Sequence, residues 1–195
     1  LAREGRGDFV GGAPEMDRDR LFARTRELLD AIKEGFPKVL IEQCIAAHTR
    51  RSAVYLNSHG VHYSEVKGFY EVQVMFSGHE GDKSSSFNYV GFVTDSLDSP
   101  FLDQASVRQN LEDAQNQIHT VPTQGKFEGR VIITPDCLGG MLSELLGNYA
   151  ADGVLLDGTS QWKDKLGQQV VDPRITISSA PHDPRVVAGE RWTGE

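Results

Sequence analysis

Residues 53–76 begin Ala53-Val54-Tyr55-Leu56-Asn57-Ser58-His59-Gly60-Val61 and end Phe69-Tyr70-Glu71-Val72-Gln73-Val74-Met75-Phe76. The centre of this stretch has hairpin chemistry, because Asn57 and Gly60 tolerate the positive φ that a tight turn demands. Both flanks are rich in β-branched and aromatic residues, which favour a pleated, half-buried surface. The spacing predicts a strand on each side, with Gly68 placed to suit a bulge in the second. Working outward, residues 38–48 hold Val39, Ile41 and Ile45, with Leu40 and Cys44 on the alternate face. Residues 78–86 are polar and read as a loop, and 87–93 return as a strand. Three or four sequential antiparallel strands, a meander, account for this region most economically.

Helical patterns flank the meander. Asp17 is placed to cap a first turn. Leu21, Leu28, Leu29 and Ile32 follow at helical spacing with Thr25 in the same stripe, while Arg18, Arg24, Arg26 and Lys33 lie on other faces and read as solvated surface. Gly35 and Pro37 end the helix. Beyond Pro100, Val107, Leu111, Ala114 and Ile118 mark a second amphipathic helix. A turn at Gln124-Gly125 leads to 130–134, where Val131, Ile132 and Ile133 read as a buried strand. Pro135 suits a helical first turn, and Leu138, Met141, Leu142, Leu145 and Leu146 form an i, i+3, i+4, i+7, i+8 face. Short strands are expected at 168–171 and 174–177. The fold class is α+β: an antiparallel β-meander packed with amphipathic helices on one side. Residues 1–16, rich in Gly and Arg, read as a flexible lead-in, and Arg6-Gly7-Asp8 within them as a chance triplet.

Composition narrows the function classes. The chain has 195 residues, 38% hydrophobic and 25% charged, which fits a folded globular protein. Its formal charge of -8 opposes nucleic-acid binding, which needs clustered Lys and Arg. No apolar run reaches the length of a membrane span. Two cysteines, Cys44 and Cys137, lie far apart in apolar surroundings and read as buried, reduced thiols, which points to the cytoplasm.

The residues that could carry chemistry are few. His59 and His62 flank the hairpin turn and His79 opens a loop, so the three could form a metal site if those loops met. His119 and His182 have no partners in sequence. Neither HExxH nor a Gly-x-Ser-x-Gly elbow is present, and Gly139-Gly140 lacks the Lys and Ser/Thr of a phosphate loop. Cys137 opens a helix, where a thiol can be activated. Residue chemistry alone therefore ends at an α+β domain without a recognisable active site.

The order of several motifs adds to this. Val54-Tyr55-Leu56-Asn57-Ser58-His59-Gly60-Val61 is similar to a strand-turn-strand of the form v-x-N-S-x-G. Gly125-Lys126-Phe127-Glu128-Gly129-Arg130-Val131-Ile132-Ile133-Thr134-Pro135 is similar to G-k-y-x-V-v-l-x-P, with the leucine-rich helix directly after it. Gly158-Thr159-Ser160-Gln161-Trp162-Lys163-Asp164-Lys165-Leu166-Gly167 and Val171-Asp172-Pro173-Arg174-Ile175-Thr176-Ile177 continue the series, and Arg191-Trp192-Thr193-Gly194-Glu195 loosely matches R-x-F-D-x-E-G. In this order they resemble the TldD/PmbA family, named after the modulator of DNA gyrase, and specifically the N-terminal half of its PmbA/TldE-like branch without zinc.

The resemblance implies a TldD/PmbA N-terminal-type domain in three stretches: the lead-in at 1–16, a helix, meander and helix at 17–123, and a strand-helix-strand segment of the same domain at 124–195. The family's C-terminal domain would be absent. The family includes a two-subunit cytosolic peptidase, one subunit bearing a zinc motif H-E-x-x-x-H. Here the corresponding helix reads Ser143-Glu144-Leu145-Leu146-Gly147-Asn148. Ser143 and Asn148 stand at the histidine positions, Glu144 and Gly147 match, and a hydroxyl and an amide are poor zinc ligands. The resemblance therefore implies a non-catalytic subunit with no cofactor of its own. Zinc is expected in a TldD-like partner, paralogue or self, within a homo- or heterodimer acting on an extended peptide. A stand-alone peptide- or protein-binding module is the alternative.

Overall fold

A computed structural model describes residues 5–122, 125–178, 180, 183 and 185–189, with the side chain of Asp136 left aside. Gln124, His182 and the 191–195 motif lie outside the described residues. The chain divides into two compact units, one of 1–122 with 181–195 and one of 123–180.

The first unit is built on a long hairpin. Strand β2, Val39–Leu56, pairs antiparallel with β3, Val61–Glu80, over nearly its whole length. The turn between them is closed by Asn57, whose Oδ1 accepts from the His59 and Val61 N–H groups at 3.0 and 3.1 Å. Gly60 takes φ 86°, a left-handed conformation that a side chain would strain. Two further pieces use the opposite edge of β3. Strand β5, Asn88–Thr94, pairs antiparallel with 70–76, which completes the expected β2-β3-β5 meander. Between β3 and β5 lies a tight turn with the two-residue β4, Lys83–Ser84, so the expected polar loop is itself a short hairpin.

Strand β1, Gly5–Gly12, pairs parallel with 61–68, so half of the expected flexible lead-in is sheet. Its sequence gives no warning because main-chain bonds hold it. Four of its eight residues are glycines, and Phe9 alone brings a large ring, which stacks on Tyr63 at 5.9 Å. Arg6-Gly7-Asp8 is thus part of a strand, with Asp8 bonded to Ser64. The bulge also lies elsewhere: the register shifts between Ile41 and Gln43 of β2, and Gly68 stays in register. Gly68 is needed for close approach, since a Cβ there would sit 1.8 Å from the Ala13 carbonyl oxygen.

Helix α1, Arg18–Gly35, starts as expected on an Asp17 cap and buries Leu21, Leu28 and Ile32. The Asp17 N–H also donates to the Tyr70 hydroxyl at 2.9 Å, which fixes the helix start to the sheet. Arg24 departs from the solvated reading. Its guanidinium donates to the carbonyls of Leu97 and Asp98 at 2.8 and 2.6 Å and pins the 95–99 loop against α1. A 3-10 turn at Phe101–Asp103 precedes α2, Val107–Asn116. Both helices cover one face of the sheet. The core there joins Leu28 and Ile32 to Val72, Val74, Phe76 and Leu111, each side chain contributing about 1.5–3 kcal/mol on burial.

The second unit differs from expectation. Helix α3, Pro135–Tyr149, forms with proline in its first turn, and a short α4, Asp152–Leu156, follows. No strand occurs among the described residues at 130–134, 168–171 or 174–177. Ile132 is 85% exposed where a buried strand is expected. The propensity is right, but a strand also needs a ladder partner, and none is present among the unit's described residues. Ser160 alone is buried there. Its hydroxyl donates to the Tyr149 carbonyl at 2.6 Å and accepts from the Trp162 N–H at 2.9 Å, with the Tyr149 and Trp162 rings 5.1 Å apart.

Candidate functional site

Ser143, Glu144, Gly147 and Asn148, expected from the resemblance to be a degenerate zinc motif, lie on α3. Asn148 donates its amide to the Glu144 carbonyl at 2.7 Å and, more loosely, to the Glu144 carboxylate at 3.3 Å. The amide is spent on the turn below it, and Ser143, Glu144, Gly147 and Asn148 are all exposed. This pair does not fit a zinc ion, since it offers a hydroxyl and an amide where imidazoles would stand. Among the described residues no group of three or more His, Cys, Asp or Glu is placed to hold a metal.

The three turn histidines do not meet. His62 and His79 belong to the same extended strand, and at about 3.3 Å per residue the strand separates them by about 55 Å. His79 instead joins a polar knot at the bulge, where the buried Ser77 hydroxyl donates to Glu42 at 2.8 Å and lies 2.9 Å from His79 Nε2. Ser77 thus spends its proton on a carboxylate, which is not the arrangement of an activated nucleophile. On the helix side, Glu80 accepts from Lys38 and His119, each at 2.6 Å. The Lys38 hydrogen bond, then that of His119, holds the Glu80 carboxyl below its ordinary value. His119 therefore does have a partner. Cys44 is half-buried against the core and its thiol is pushed up by desolvation, whereas Cys137 is exposed, contrary to the buried reading.

The feature with the geometry of a binding surface was not visible as a motif. Directly paired strand residues share a face, and three rows line the face that α1 and α2 leave open. These are Gln43–Met75–Tyr89, Ile45–Gln73–Gly91 and Ala47–Glu71–Val93. An open depression of about 420 Å³ lies over the last two rows. Gly91 supplies no side chain and so forms its low point. Glu71 is the one ionisable side chain lining it, and its Oε2 accepts from Thr49 at 2.8 Å. The rim is apolar, with Tyr89 67% and Ile45 40% exposed. Such a lining recognises a ligand by shape and one charge, without a nucleophile or acid–base pair. The sequence signal that could have found it is β5 itself, Asn88-Tyr89-Val90-Gly91-Phe92-Val93-Thr94, seven residues without a charge.

Residues 125–195 match a family model described as the PmbA/TldA metallopeptidase C-terminal domain. That description sets the stretch in a C-terminal domain, where the motif reading counted it in the N-terminal half. No curated protein shows significant sequence similarity to the chain. Among solved structures, TldE from Thermococcus kodakarensis is similar in fold, with a TM-score of 0.53 and 13% identity over 76% of this chain. The chain spans 33% of that protein's length. At that identity the likeness concerns fold alone, and it agrees with the mixed sheet-and-helix architecture described above. Among the described residues no helix is long and apolar enough to cross a membrane. Residues 125–195 thus resemble the TldD/PmbA family in sequence, and three quarters of the chain is similar in fold to TldE.

Proposed function

We propose that this chain acts as a non-catalytic, TldE-like subunit of a TldD/PmbA-type metallopeptidase system, most simply in the cytoplasm. A zinc-bearing paralogue supplies the catalytic ion, and this chain helps to enclose an extended peptide and hold it in place. The observation that carries the reading is the pairing of the family match with Ser143 and Asn148 at the histidine positions. The outer edge of β5, beside the open sheet face of the first unit, supports the positioning role, because strand addition at an edge binds through main-chain hydrogen bonds and tolerates many sequences. Co-expression with a zinc-motif paralogue tests it. The two chains are expected to co-purify, and peptide cleavage by the paralogue is expected to fall when this chain is omitted. Cleavage that is unaffected by omission would sink the reading.

The alternative is a stand-alone peptide- or protein-binding module with no proteolytic role. The open face favours it to this extent: its lining comes entirely from the first unit and requires no second chain. Affinity capture separates the two, since a zinc-motif paralogue dominates the captured material in the first case and is missing in the second.

A further inference from the structure

We infer that the outer edge of β5 is the docking strand, and that it selects an extended peptide carrying a lysine or arginine between two apolar residues. The inference rests on the peptide-positioning part of the function proposed above.

The choice of edge follows from how the sheet protects itself. Exposed strand edges invite pairing, and proteins blunt them with charges and bulges. The edge of β2 has both, with the Ile41/Gln43 irregularity and Glu42, Arg50 and Arg51 along it. β1 carries Arg6 and Asp8. β5 has neither device: Asn88–Thr94 is uncharged, in register with β3 throughout and free of proline. Among the described residues β5 pairs with β3 alone, so its other edge faces no strand.

The choice of side chain follows from the row through Gly91. A strand added beside β5 would set one residue opposite Gly91 and those two positions away opposite Tyr89 and Val93. The flanking pair would meet an aromatic and an aliphatic side chain. The central residue meets no side chain, and its way to the depression is open. Strands lie about 4.8 Å apart, so an added strand runs about 10 Å from β3. An extended lysine or arginine covers most of that distance, and Glu71, one row along on β3, is the one ionisable side chain lining the depression it would enter, its Oε2 held by Thr49 from the β2 side. A net charge of -8 on the chain adds the same preference at long range.

The test uses the full chain and a short fluorescein-labelled peptide with a central lysine, valines two positions away on both sides and serines between. Fluorescence polarisation should register binding. Exchanging the central lysine for glutamate should weaken it about fivefold, the scale of an exposed ion pair gained or lost. Glu71→Gln should remove most of that discrimination without changing the fold, because Glu71 is exposed. Tyr89→Lys with Val93→Lys, both at exposed positions, should weaken binding about tenfold by charging the edge. Hydrogen exchange should show peptide-dependent protection at 88–94. Absence of binding, equal affinity for the two peptides, insensitivity to the charged edge or protection at 39–56 instead would each overturn the inference. Association with a zinc-bearing paralogue is a separate readout. Association kept while peptide binding fails removes this inference alone, and peptide binding kept while association fails removes the subunit reading alone.

Discussion

Helices α2 and α3 carry the same sequence signal and end in different surroundings. Val107, Leu111, Ala114 and Ile118 recur at helical spacing and are 0–4% exposed against the sheet of the first unit. Leu138, Met141 and Leu146 recur in the same way and are 41%, 54% and 37% exposed. A stripe of this kind predicts a helix and which of its faces is apolar. It carries no information on whether the covering layer is present. The same contrast holds for strands, since β5 has β3 to pair with and 130–134 pairs with nothing described. In the first unit the helical stripes find the sheet as their complement, whereas among the described residues of the second only Ser160 is buried.

The largest expected effect that could break this comparison is a pair of truncations. Phe76→Ala, in the core of the first unit, should cost about 3–5 kcal/mol in urea-induced unfolding. Met141→Ala should change stability by less than about 0.5 kcal/mol, as exposed substitutions do. An equal cost would mean that α3 is covered in solution, for instance by a partner. Native-state hydrogen exchange would sharpen the same point, with amides of β3 opening only on global unfolding and those of α3 opening far more easily.

Next in size, Gly68→Ala should destabilise the first unit by about 1–3 kcal/mol, the usual range for an overpacked site. The added carbon meets backbone at Ala13 and Pro14, which has no rotamer to escape into. Loss of β1 protection in hydrogen exchange should accompany it. Tyr70→Phe should cost about 1 kcal/mol in thermal or urea unfolding, because one hydrogen bond to the Asp17 N–H is lost and the ring stays in place. An unchanged midpoint would show that α1 needs no anchor at its start.

The smallest effect is local and depends on pH. Lys38 and His119 hold Glu80 below its ordinary value, so their contribution is fully present above that value and is lost as pH falls through the depressed one. Acidification through the carboxylate range should therefore loosen the His119 attachment while the core stays folded. A Glu80→Gln variant should lack this transition, and chemical-shift changes at Glu80 and His119 would report it. A transition that persists in the variant would assign it to other groups.

Much was legible before any coordinates. The Asn57–Gly60 turn, the β2-β3-β5 order and the starts of α1 and α3 follow from turn chemistry, capping and periodicity, all of which act over a few residues. The ordered motifs in the second half were likewise readable as residues, and the family model matches within that stretch. The candidate surface was only half legible. The uncharged β5 stretch can be read from the chain, but its alignment with Glu71 and Gln73 depends on strand register.

The sequence by itself determined which segments form turns, helices and strands, because those preferences are short-range. Only the tertiary structure decided the rest. It made a strand of the glycine-rich start by pairing its backbone with β3, moved the irregularity from Gly68 to Glu42, and bound Arg24 to the 97–98 carbonyls. It also kept His62 and His79 at opposite ends of one strand and left Leu138, Met141 and Leu146 of α3 exposed. Each of these outcomes depends on which distant backbone or side chain arrives alongside, and periodicity along a chain does not record that.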